Sequence, residues 1–82
     1  MLEANLSASL TIYPNPVRTT LYYNMNDLAE YNEVEILDFS GNLKLASQQI
    51  NGHINVGKLP VGVYYLRLIH KLGAKIERFI KS

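Results

Sequence analysis

Along most of this chain apolar residues recur at every second position, and turn-forming residues interrupt them at roughly the 8–12-residue spacing of an all-β domain. The longest such run is residues 62–70. Tyr64, Leu66 and Leu68 fall on one parity, and Val63, Tyr65, Arg67 and Ile69 on the other. A strand sends alternate side chains to opposite faces, so the first set forms a wholly apolar or aromatic face. This segment is expected to be the central strand, with that face on a core. Pro60 has φ preset for the second position of a β-turn and Gly62 suits its end, which places a turn just before the strand.

The other segments follow the same alternation. In residues 9–13, Leu10 and Ile12 share a side, and Tyr13-Pro14-Asn15-Pro16 stops the run. Two prolines remove two backbone donors and each disfavours the α region for its predecessor, so an extended, polyproline-like corner is expected. Leu21, Tyr23 and Met25 share a face in residues 19–25, and residues 26–32 leave room for one helical turn at most. In residues 33–38, Val34 and Ile36 face inward while Glu33 and Glu35 face water. Asp38 can cap amides in the turn that follows, Gly41 can take a positive φ there, and residues 43–47 make a fourth strand.

Asn51-Gly52 is the strongest short hairpin signal, because both residues tolerate the positive φ of a type I′ turn. It is expected to join residues 48–50 to residues 53–56. Lys71, Leu72 and Gly73 make the last turn. In the final strand, residues 74–81, Ile76, Arg78 and Ile80 share one face while Phe79 lies opposite. Seven strands and no credible helix predict an all-β fold, an Ig-like antiparallel β-sandwich of about seven strands. Residues 10–82 would form it, with residues 1–9 as a linker remnant.

Composition narrows the functional classes. The 82 residues make one domain, with no cysteine for a disulfide or thiolate site, and a net charge of +1. No basic stripe marks a nucleic-acid surface, so nucleic acid is not an expected partner. No apolar run approaches the ~20 residues of a membrane span. The first residues lack the basic and apolar regions of a signal peptide. A domain this small buries only roughly 60–65% of the surface its unfolded chain exposes, so its stability margin should be narrow.

A search for chemistry finds no active site. His53 and His70 sit at strand ends without a second His, Cys or carboxylate at ligand spacing, and both are expected to be solvated. Glu33 and Glu35 are expected to be a solvated pair, with Arg67 or Arg78 as cross-strand partners. Asp38 is read as a turn cap, since a lone carboxylate cannot make a calcium shell. Neither Gly-x-Ser-x-Gly nor a glycine-rich phosphate loop occurs. Catalytic, metal and cofactor sites are therefore all expected to be absent, and the protein is not expected to be an enzyme. Of the six tyrosines, Tyr23 and Tyr64 fall on core parity, whereas Tyr22 and Tyr65 point outward, where a sugar- or peptide-binding surface is as plausible as packing.

Three segments together carry a resemblance: Tyr13-Pro14-Asn15-Pro16-Val17, then residues 34–43 (VEILDFSGNL), then residues 59–68 (LPVGVYYLRL) with the terminal Arg78-Phe79-Ile80-Lys81. In that order and spacing they resemble the type A C-terminal sorting domain of type IX (Por) secretion cargo in Bacteroidetes-type bacteria, over about residues 10–82. The resemblance implies an Ig-like sandwich at the C-terminus of a larger cargo protein, whose own N-terminal signal peptide takes it to the periplasm. The domain would then address the cargo to an outer-membrane translocon, for the cell surface or secretion. An outer-membrane shuttle and a surface sortase would be its partners, and the sortase would remove the domain. Carried over by position, the recognition-associated residues would be Pro60, Gly62, Tyr64, Leu66, Arg78, Phe79, Ile80 and Lys81. Pro14, Asn15 and Pro16 would form the corner into the sandwich, and cleavage would fall among Asn5, Leu6, Ser7, Ala8 and Ser9. The last strand would present a sheet edge to which a receptor strand could pair. The competing reading is a fibronectin-III-like or carbohydrate-binding adhesion module that stays on its parent protein. The two share a fold, so only the fate of the domain separates them.

Overall fold

The structure, a computed structural model, describes residues 10–82. The stretch expected to hold the cleavage site, Asn5 to Ser9, lies outside the described residues. The strands are β1 (Thr11–Tyr13), β2 (Thr20–Asn24), β3 (Glu33–Asp38), β4 (Leu43–Ser47), β5 (His53–Asn55), β6 (Gly62–His70) and β7 (Gly73–Lys81). A single 3₁₀ turn, Leu28–Glu30, occupies the one place where a helical turn was expected. One sheet has the order β1-β2-β5 and the other β4-β3-β6-β7, all paired antiparallel. The chain changes sheet after β2, β4 and β5, which gives the two-sheet, seven-strand arrangement of an Ig-like sandwich.

Parity explains why the sheets close on one another. β6 lies between β3 and β7 and buries Tyr64, Leu66 and Leu68, as the alternation required. β3 adds Val34 and Ile36, β2 adds Leu21 and Tyr23, and Met25, Val56 and Val17 complete the core from flanking segments. Phe79 is the one apolar residue that β7 turns inward, and it is fully buried. Each such side chain stabilises the fold by about 1.5–3 kcal/mol relative to exposure. Outward, Glu35 stands opposite Arg67, whose Nε and Nη2 donate to Glu35 Oε1 at 2.9 and 2.6 Å. Of the two arginines considered for these glutamates, Arg67 makes the pair.

The Asp38 turn forms as expected. Its Oδ1 accepts the backbone N–H groups of Ser40 and Asn42, both at 2.9 Å, and Gly41 takes φ +90°. The Asn51-Gly52 hairpin does not form. Residues 48–50 are not a strand, and β5 pairs with β2 in the other sheet, Leu21 opposite Ile54. Gly52 alone takes a positive φ, +91°, which excludes a type I′ turn. The reason is apolar burial: Ile54 and Val56 pack against the core, whereas Gln48 and Gln49 offer no apolar face to pair with.

Three smaller expectations also change. The hydrogen-bonded turn before β6 closes from Leu59 N–H to the Val56 carbonyl, 3.0 Å, so it lies earlier than Pro60. The Pro14–Pro16 corner is not extended: the chain bends at Pro14, Asn15 and Pro16. His70 is not a solvated strand end. Its Nδ1 accepts the Leu72 N–H at 3.0 Å, its Nε2 lies 3.5 Å from Glu30, and its ring stands edge-on to Tyr31. Burial first, and then the Asp27 and Glu30 charges, push the Tyr31 hydroxyl pKa up.

Candidate functional site

Three stretches far apart in sequence meet at one end of the sandwich. β6 begins there, β7 ends there, and the proline corner is tied to the free side of the β7 end. Gly62 stands opposite Lys81, and Tyr64 opposite Phe79. Val17 forms a parallel bridge to Lys81. Gly62, Tyr64, Phe79, Ile80 and Lys81, separated in sequence from Asn15 and Val17, are therefore brought together with them in space.

Tyr64 holds this end together from inside. Its ring, 5% exposed, stacks on Phe79 with centroids 5.8 Å apart and planes 23° apart. Its hydroxyl donates to the Pro60 carbonyl at 2.7 Å. A tyrosine near the start of the sixth strand, bonded back to backbone a few residues upstream, is the tyrosine corner of Ig-like sandwiches. Pro60, Gly62 and Tyr64 thus form a structural tie between the loop and the core. At Gly62 a Cβ would meet the Tyr64 ring at an ordinary 3.8 Å, so what favours glycine there is its φ of +158°, which residues with a Cβ rarely adopt. Leu66, one step further along the same face, is fully buried.

The terminal edge is also tied. In an antiparallel ladder, alternate residues turn both backbone groups away from the partner strand. Ile80 is one of these, and its groups are taken: Asn15 Oδ1 accepts its N–H at 2.9 Å and the Val17 N–H donates to its carbonyl at 2.8 Å. Ser82 N–H then donates to the Val17 carbonyl at 2.9 Å. The edge expected to be open to a receptor strand is closed at its last residues by the chain's own corner. Val17 and Ser82 were not singled out in the sequence. Their pairing spans some sixty residues and leaves no local pattern, beyond Asn15 lying where a side chain can stand in for a strand.

The motif residues divide by exposure. Tyr64, Leu66 and Phe79 are buried, and so is Lys81, at 6% exposed, with its ammonium donating to the Ser82 carbonyl at 3.0 Å. Pro14, Asn15, Pro16, Pro60, Arg78 and Ile80 are exposed. Ile80 and Arg78 open onto the outer face of the four-stranded sheet. There Leu37, Tyr65, Arg67, Ile76 and Gly41 line a shallow apolar depression of about 270 Å³. Nearby, the Asn42 N–H above all, with Ser40 and Lys44, holds the Asp38 pKa below its ordinary value. Among the described residues no group of three His, Asp or Glu side chains is placed to hold a metal ion, and no helix is long and apolar enough to cross a membrane.

An Ig-like sandwich that gathers a proline corner, a tyrosine corner and its last strand at one end is a folded module built around its own C-terminal segment. The chain matches the family model described as the secretion system C-terminal sorting domain over residues 11–82. It belongs to that family, the C-terminal sorting signals of type IX secretion. Such a domain implies a cargo precursor, the type IX machinery, and export to the cell surface or secretion. Among curated proteins, none matches this chain.

Proposed function

We propose that this domain carries a larger protein, joined on its N-terminal side, through the periplasm and across the outer membrane by the type IX translocon. A surface sortase-like peptidase then removes it by cutting within Asn5 to Ser9. The observation that carries this reading is the convergence at one end: the family's separate sequence segments become a single rigid surface, closed by Asn15, Val17 and Ser82. The receptor would read what that end exposes, namely Arg78, Ile80 and the Pro14–Pro16 corner, beside the Tyr65 and Ile76 depression. Strand addition would be confined to the β7 edge before Ile80. The domain acts as an address and a substrate, not as a catalyst.

The test is a reporter with a cleavable signal peptide fused ahead of this chain, expressed in a bacterium with a type IX system and in its translocon-deficient mutant. The reporter should reach the medium or surface without the domain, and should stay full-length in the periplasm of the mutant. A reporter that reaches the surface with the domain still attached overturns removal by the sortase. Equal export from both strains overturns the sorting role.

A further inference from the structure

The outer face of the three-stranded sheet has a chemistry unlike the rest of the surface. Tyr13, Tyr22 and His53 stand opposite one another across β1, β2 and β5. Tyr13 and Tyr22 stack with centroids 5.5 Å apart and planes at 18°, and the His53 ring follows at 6.1 Å. The two tyrosines stay 52% and 42% exposed. Thr11 and Asn24 pair on one side of this row, and Thr20 and Asn55 on the other. Among the described residues, no outward position of these three strands carries Lys, Arg, Asp or Glu. The outer face of the other sheet, by contrast, holds Glu33, Glu35, Arg67 and Arg78.

We infer that this face binds a neutral oligosaccharide. Pyranose rings present apolar C–H faces that lie on aromatic rings, and hydroxyl rims that need uncharged donors and acceptors. Tyrosine supplies the first with a polar tip, and flanking Thr and Asn supply the second. A row crossing three strands spans two strand spacings, roughly 10 Å, enough for a disaccharide unit. Nucleic acid would require cations, which none of the outward positions of these strands carries, and a protein partner would favour an apolar centre over a collar of Thr and Asn. Cross-strand packing alone accounts for the Tyr13–Tyr22 pair. The same packing accounts for His53 opposite Tyr22, but not for three exposed rings in one row flanked only by uncharged Thr and Asn positions on these strands. The inference is independent of the sorting role, because it uses the opposite face from Arg78 and Ile80.

The test is native affinity electrophoresis of the 82-residue chain through gels holding dextran, mannan, xylan or mixed-linkage β-glucan, with polygalacturonate as the charged arm. At least one neutral polysaccharide should retard the parent. Tyr22→Ala and His53→Ala should each bind roughly fivefold to tenfold more weakly while keeping the parent far-UV spectrum. Leu72→Ala, at the exposed tip of the last turn, should bind like the parent. Retardation by polygalacturonate alone, by no polysaccharide, or equally in parent, Tyr22→Ala and His53→Ala overturns the inference. The His53 variant keeps the test decisive if Tyr22→Ala fails to fold.

Discussion

Replacing Tyr64 by Phe removes one oxygen and leaves the ring on Phe79. What is lost is the 2.7 Å bond to the Pro60 carbonyl. The net worth of such a bond is about 1 kcal/mol, and the low end of its 0.5–1.5 range applies where the abandoned carbonyl can find water, as at exposed Pro60. For a domain of this size, whose total stability is on the order of 4–12 kcal/mol, 1 kcal/mol lowers Tm by about 4–8 °C. Tyr23 provides the control. Its hydroxyl is buried with no hydrogen-bond partner, so Tyr23→Phe should leave stability unchanged or raise it by up to about 1 kcal/mol, with Tm unchanged or higher. Thermal melts followed by far-UV circular dichroism measure both. A Tyr64→Phe melt within ~1 °C of the parent, or a Tyr23→Phe loss as large as that of Tyr64→Phe, refutes the tyrosine-corner argument. The same variant separates fold from signal. If the hydroxyl works only inside the domain, a cargo fused to Tyr64→Phe is exported normally wherever the domain stays folded.

Three other outcomes are expected. Phe79→Ala should cost about 3–5 kcal/mol through the cavity it leaves between the sheets, a large share of the total, and its cargo should be retained in the periplasm; a melt near the parent's would contradict this. Asn15→Ala should cost about 0.5–1.5 kcal/mol and speed amide hydrogen exchange at Ile80, and unchanged exchange there would show that the corner does not close the edge. Asp38→Ala should lower Tm at neutral pH but much less in acid. A folded-state pKa below the ordinary value means that the stabilisation is fully present above about pH 4 and is lost as pH falls through the lowered pKa, so the two melting curves should converge there.

Parity made the core legible: Tyr64, Leu66, Leu68, Val34, Ile36, Leu21 and Tyr23 are buried where alternation put them. So did local turn chemistry at Asp38 and Gly41, because the groups that bond there lie within four residues of one another. The larger failures concern partners distant in sequence. Asn51-Gly52 carries a true hairpin preference, but a turn signal cannot say which strand will bury Ile54, and Leu21 in the other sheet does so. The proline corner showed where β1 stops, not that Asn15 and Val17 would reach Ile80. His70 looked solvated because Glu30 and Tyr31 come to it only through the fold.

The split between buried and exposed motif residues bears on how such an address is read. Tyr64, Leu66, Phe79 and Lys81 are among the residues that the resemblance marks as recognition-associated, yet their side chains are withdrawn from any partner. Under the proposal, a receptor acting on the folded domain would meet Arg78, Ile80, the proline corner and the depression beside Tyr65. On the proposed reading, the motif letters build the surface, and the surface is what the machinery recognises. Substitutions at buried motif positions should therefore abolish sorting in proportion to the unfolding they cause. Substitutions at Arg78 or Ile80 should abolish it with the melt unchanged. Recognition of an unfolded terminal peptide predicts the reverse: sorting would follow the letters of residues 78–81 and would survive the loss of Leu66 from the core.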